Sequence, residues 1–222
     1  MALGYRGNPA WRDMSEYVVH FTHGRQDLVD MLLHDRIEAR KPFGWAREVD
    51  GEEAIPTQKS VCLSEVPLDM LDRLVGRHGS YGLGFRKTDL IQDQAAPVWY
   101  VEMDTHLANA LDRLCWAAKE DPSLRRAVFT LTRNIDKVGE FPNGQLYRFE
   151  WEREWRVPKR LHLWREGPLF LFAPEADHHW LDRKLDVRQG DALGEGVPPM
   201  IDPTWDDERI QEVLASLPVK TY

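Results

Sequence analysis

Three glutamates at alternate positions, Glu150, Glu152 and Glu154, stand in the aromatic stretch Phe149-Glu150-Trp151-Glu152-Arg153-Glu154-Trp155-Arg156-Val157. Read as a strand, the stretch sends these carboxylates to one face and Trp151, Arg153 and Trp155 to the other. Tyr147, Phe149, Trp151, Trp155 and Val157 favour a strand over a helix. Like charges on one face repel, so local stability does not account for them. One explanation is a solvated strand edge whose charges block aggregation. The other is a carboxylate fixed on a rigid element, where it can stabilise a developing cation.

Other residues with chemical potential are spread along the chain. His20 and Thr22 end the β-rich run Tyr17-Val18-Val19-His20-Phe21-Thr22, just before a helical pattern over about 26–38. Residues 39–59 read as a long loop, and its Arg40, Lys41 and Arg47 suit an anion such as a pyrophosphate. Ser64 is a lone hydroxyl at the end of Ser60-Val61-Cys62-Leu63-Ser64. Tyr81 opens Tyr81-Gly82-Leu83-Gly84-Phe85, whose glycines suggest close approach of a ligand or of backbone. A metal site could draw on His20 and His23, or on Asp177, His178 and His179, but neither group has the HExxH spacing. No GxxxxGK[ST] or GxGxxG motif occurs, which argues against nucleotide hydrolysis and a Rossmann site. Cys62 and Cys115 lack a CxxC partner and read as buried, reduced thiols, inert as nucleophiles.

The elements that must position these groups read as α+β. Strands are expected near 17–22, 60–64, 81–86, 97–102, 146–157 and 168–173. Amphipathic helices follow Glu65-Val66-Pro67, cover 104–120, continue from Pro122 to about Thr132, and end the chain from Asp206 through Leu217. Strands and helices interleave irregularly, unlike the alternation of a doubly wound sheet. We expect one domain over 1–222, with 1–14 as an arm and 186–222 as a loop followed by a helix. Lys and Arg number 29 against 37 Asp and Glu, so the net charge is 29 − 37 = −8. An acidic chain does not bind nucleic acid by its overall field, although a local basic groove remains open. Nine Trp among 222 residues suit pocket walls or an interaction surface. No apolar run approaches the ~20 residues of a membrane span, and no signal-peptide core is present, which points to a cytoplasmic protein without a membrane partner.

The order of the motifs His20-Phe21-Thr22, Leu63-Ser64-Glu65-Val66-Pro67-Leu68, Tyr81-Gly82-Leu83-Gly84-Phe85 and Glu152-Arg153-Glu154-Trp155-Arg156 resembles AbiGi-type abortive-infection proteins of bacteria. More distantly it resembles DarT-type and diphtheria-toxin-type ADP-ribosyltransferases. The resemblance spans roughly residues 17–173 and implies an ADP-ribosyltransferase-like α+β fold, two split sheets around a central NAD cleft. It implies NAD as co-substrate and a DNA, RNA or protein acceptor. It places Glu154, Glu152 and Tyr81 in catalysis. Glu154 would hold the ribose 2′-hydroxyl and stabilise an oxocarbenium-like transition state, Glu152 would orient the acceptor, and Tyr81 would stack on nicotinamide. His20, with Phe21 and Thr22, would hold a ribose, while Ser64, Arg40 and Arg47 complete the cofactor contacts. The Ser-Thr-Ser signature of arginine-directed transferases is absent. Some AbiGi-type proteins are classed as antitoxin-like partners in a two-gene locus, so a non-catalytic regulator bound to a cognate protein is the alternative.

Overall fold

A computed structural model describes residues 15–49, 54–65, 71–141, 143–163, 167–186 and 196–217. The expected arm at 1–14, the helix start at Val66-Pro67 and much of the loop after 186 lie outside the described residues. The chain divides into two compact units, one of residues 1–37, 63–90 and 162–222, the other of 38–62 and 91–161. Strands and helices are mixed in both, in keeping with the α+β class.

In the first unit, strand Tyr17–Thr22 lies between strand Tyr81–Arg86 and the Leu63–Glu65 end of strand Ser60–Glu65, antiparallel to both. Phe170–Phe172 pairs antiparallel with Tyr81–Arg86, and Met200–Ile201 adds a parallel edge. Val18, Val19, Leu83, Phe85, Phe170 and Leu171 are buried, so β-branched and aromatic residues fill the sheet. Both glycines of Tyr81–Arg86 mark close approach of protein side chains. A Cβ at Gly84 would fall 2.2 Å from the Phe170 ring, and one at Gly82 would fall 2.7 Å from a Val19 methyl. Lys87 and Glu65, both buried, form an ion pair at 3.2 Å. Each offsets the other's desolvation. Helices Arg25–Leu33 and Glu175–Asp186 belong to this unit. The first ends sooner than the expected 38, because Asp35 takes a left-handed φ of 54° and Arg36–Glu38 becomes a strand.

In the second unit, Trp99–Glu102 runs parallel to Ile135–Glu140. A parallel pair needs a long crossover. Helices His106–Glu120 and Pro122–Thr132 supply it. Asp121 terminates the first helix and caps the second, accepting from the Ser123 amide with Pro122 at the first turn. Leu111, Cys115, Ala118, Val128 and Phe129 of these helices pack with Val101, Ile135, Trp45, Ala46, Val49 and Ala54. Trp45, Ala46, Val49 and Ala54 of the segment 39–59 therefore form a wall of the core, despite the segment's lack of apolar period. The segment contains a 3-10 turn at Trp45–Glu48 and a short helix at Ala54–Thr57.

The expected strand over 146–157 is broken. Leu146–Tyr147 pairs with Ile135–Glu140, Glu150–Glu152 forms a 3-10 turn, and a new strand runs over Glu154–Pro158, where it pairs with Ala96–Pro97. The break falls at Arg153, whose φ of 45° is left-handed. The turn holds Glu150 and Glu152 off the strand that begins at Glu154, which separates glutamates that would repel on a single strand face.

Candidate functional site

Glu154 begins the strand Glu154–Pro158, and Arg156 follows two positions later on the same face. Their side chains meet in a fork. Arg156 Nε donates to Glu154 Oε1 at 2.9 Å and Nη2 donates to Oε2 at 3.1 Å. The Arg156 side chain has 0% exposure and Glu154 15%. Arg156 Nη2 also donates to Asp136 Oδ2 at 2.5 Å, and Nη1 donates to the Arg133 carbonyl at 2.9 Å. Asp136 in turn accepts from Arg47 Nη1 at 2.8 Å. The same Arg47 nitrogen donates to the Phe43 and Gly44 carbonyls. The Phe43 ring covers the Arg156 guanidinium at 5.6 Å. Two cations and two carboxylates thus form one chain inside the second unit, held by charge-assisted hydrogen bonds.

The electrostatics fit this closed arrangement. Burial alone would lower the Arg156 pKa, but the Glu154 and Asp136 carboxylates raise it overall. Burial, followed by the Glu154 charge, raises the Tyr100 pKa far above its ordinary range, and Tyr100 donates to Glu154 Oε2 at 3.4 Å. Burial also pushes the Cys62 thiol well up, with Glu154 adding to the effect. A thiol held protonated is a poor nucleophile. Cys115 behaves alike, raised to about 11 by burial and then by Asp112.

Glu152 does not share a strand face with Glu154. It is buried in the 3-10 turn Glu150–Glu152, on the far side of the Arg153 kink. Arg40 is exposed, whereas Arg47 is committed to Asp136.

The remaining expected residues belong to the first unit. The strand register sets His20 opposite Leu83 and Thr22 opposite Tyr81. Facing residues in an antiparallel pair project to the same side. His20, Thr22 and Tyr81 therefore share one sheet face, with His20 and Tyr81 as diagonal neighbours. Phe21 takes the other face and stacks on Phe172 at 5.9 Å and on His78 at 6.2 Å. Ser64 is buried opposite Val19. Tyr81 donates to Asp177 Oδ2 at 2.5 Å, and Asp177 pairs with Arg25 at 2.9 Å. Burial and then this hydrogen bond raise the Tyr81 pKa to about 12. Arg25 also lies 4.4 Å from the Trp180 ring centre. His178 is turned to the Ala173 carbonyl, and among the described residues no group of three His, Cys, Asp or Glu is placed to hold a metal.

Sequence reasoning missed Asp136 and Tyr100, and offered Asp177 only as a metal ligand rather than as the partner of Tyr81 and Arg25. The strand Ile135–Glu140 carries Asp136, Lys137 and Glu140 among few apolar residues, so its β signal is weak. The Arg156 partnership had a readable signal, since Glu154 and Arg156 are spaced at the period of a strand face.

A family model described as "Putative abortive phage resistance protein AbiGi, antitoxin" matches residues 46–164, just over half of the chain. The match takes in Arg47, Ser64, Tyr81, Asp136, Glu152, Glu154 and Arg156, and leaves out His20, Phe21, Thr22 and Arg40. No curated protein and no solved structure matches the chain.

Proposed function

The chain belongs to the AbiGi family, and from that premise we propose that it acts in abortive phage resistance as the antitoxin-like, non-catalytic partner of a cognate protein. The observation that carries this reading is the engagement of Glu154. An ionised carboxylate offers about four acceptor positions. Arg156 takes two of them and Tyr100 a third. A glutamate so engaged is poorly free to hold a ribose hydroxyl or to stabilise a new cation. Exposed aromatic surface suits the partner role. Trp99 and Trp116 are 51% and 48% exposed, and tryptophan is enriched where proteins meet. In the test, the chain is expressed in bacteria alone and together with the product of the adjacent gene. Growth should be unaffected by the chain alone and restored where the neighbour is toxic. Growth arrest by the chain alone, relieved by Glu154→Gln, would overturn the reading.

The second reading is NAD-dependent mono-ADP-ribosyl transfer by an ADP-ribosyltransferase-like fold, with Glu154 stabilising the ribosyl cation. The placement of His20, Thr22 and Tyr81 on one sheet face favours it, because a ribose and a nicotinamide ring need such polar and aromatic neighbours. Release of nicotinamide from NAD by the purified protein separates the two readings.

A further inference from the structure

Within the second unit, five basic residues from three separate segments are gathered by main-chain contacts. The Ala39 amide donates to the Lys159 carbonyl at 2.9 Å, the Lys159 amide donates to the Lys59 carbonyl at 3.4 Å, and Pro42 bridges Lys59. Hydrogen-bonded segments lie about 5 Å apart. These contacts hold Arg40, Lys41, Lys59, Lys159 and Arg160 in one neighbourhood. Four are exposed, and Lys59 is half-buried. Among the described residues, no carboxylate lies within ion-pair distance of Arg40, Lys41, Lys59 or Lys159. Arg160 alone has Glu38, at 3.8 Å.

Fold stability does not explain the cluster. Like charges in one neighbourhood repel, and the main-chain bonds prevent them from separating. Lys159 is the single residue between strands Glu154–Pro158 and Arg160–His162, and its φ of 64° is left-handed. Glycine or asparagine meets that backbone requirement at lower cost. The turn therefore has no need of a lysine. A local excess of positive charge also stands against the chain's net charge of −8.

We propose that this patch binds a nucleic-acid phosphate backbone. Lysine is depleted at the centres of protein interfaces, which need apolar burial. Phosphates are met by exposed Lys and Arg through charge neutralisation and counterion release, with no apolar centre. A mostly exposed array, four of whose five members have no ion pair to the described residues, fits the second chemistry. It recognises phosphate spacing and charge rather than base sequence. DNA and RNA share that chemistry, and the test distinguishes them. The inference does not depend on the partner role proposed above, since either could hold without the other.

The test uses fluorescence anisotropy with labelled probes of about 20 nucleotides: a DNA duplex, the RNA duplex of the same sequence, and its single RNA strand, with labelled polyglutamate as the acidic-polypeptide control. At about 150 mM salt, at least one nucleic-acid probe should bind with a Kd of ~10⁻⁴ to 10⁻⁶ M. Three to five neutralised phosphates give a log–log salt slope of about −2.7 to −4.5 on a duplex. The triple variant Arg40→Glu, Lys41→Glu, Lys159→Glu should weaken binding by at least about tenfold, by loss of those phosphate contacts. The control Arg113→Glu, Arg126→Glu, Arg183→Glu changes net charge equally, at exposed positions elsewhere, and should weaken it much less. If the triple variant melts early, Lys41→Gln with Lys159→Gln replaces it. The proposal is overturned if no nucleic-acid probe binds, if polyglutamate alone binds, or if the two triple variants lose affinity equally.

Discussion

Two sets of cations in the second unit follow opposite rules. Arg47 and Arg156 are drawn into a chain of carboxylates and carbonyls, and Arg156 has no exposed side-chain surface. Arg40, Lys41, Lys59 and Lys159 remain outside, without ion pairs to the described residues. Arg40 and Arg47 come from the same segment and suggest the same pyrophosphate when read as sequence. What separates them is Asp136, contributed by a distant strand. The buried set stabilises the unit, because removing one member leaves a charge without compensation. The surface set, without ion pairs to the described residues, adds little to stability.

The sharpest way to break this comparison is Arg156→Met. It leaves the half-buried Glu154 without its cation and Asp136 with Arg47 alone, and should cost about 3 kcal/mol in urea unfolding. A cost below ~1 kcal/mol would show that the pair adds no more than a surface ion pair does. Glu154→Gln should come next. It keeps shape and one acceptor but loses charge, so a loss of about 1.5–3 kcal/mol and an earlier melting transition are expected. An unchanged melting curve would detach Glu154 from the structural role given to it.

The next prediction concerns alkaline pH. Tyr81 has its folded pKa raised from 10.0 to about 12, so the folded state retains a proton that the unfolded state loses. The contribution is present in full below pH 10 and is lost as pH rises from 10 to 12. Stability of the wild type should therefore fall more steeply across that window than stability of Tyr81→Phe, measured by chemical denaturation at each pH. Equal slopes would deny that the Asp177 contact holds the phenol proton. The smallest effect belongs to the surface set. Lys159→Gly exchanges left-handed strain for backbone entropy and should change stability by less than about 1 kcal/mol. A larger loss would mean that the lysine side chain serves the turn.

The sequence was most legible where local residue type and tertiary environment agree. Tyr17–Thr22, Ser60–Glu65 and Tyr81–Arg86 are rich in β-branched or aromatic residues and form strands at the expected positions. Asp206 caps the last helix as its position before Ile210 and Val213 suggests. The stretch 146–157 misled, because alternation of Glu and aromatic residues looks like one strand. The left-handed Arg153 that breaks it has no signature in residue type, since arginine is not a turn residue. Trp45, Ala46, Val49 and Ala54 line the core without any repeat, which periodicity cannot detect. The site was half legible. Glu154 was singled out as a carboxylate fixed on a strand beside a cation. The cation is the chain's own Arg156, and the third member, Asp136, comes from a strand with few apolar residues to announce it.

The account's central claim is that Glu154 serves the fold and that the chain acts by binding. Its most direct test is nicotinamide release from NAD by the purified protein, with the melting curve of Glu154→Gln recorded in parallel. The account predicts no release above the protein-free rate, and a lowered melting temperature in the variant. Release that Glu154→Gln cuts by about 100-fold or more, with an unchanged melting temperature, would contradict it and establish Glu154 as an electrostatic catalyst.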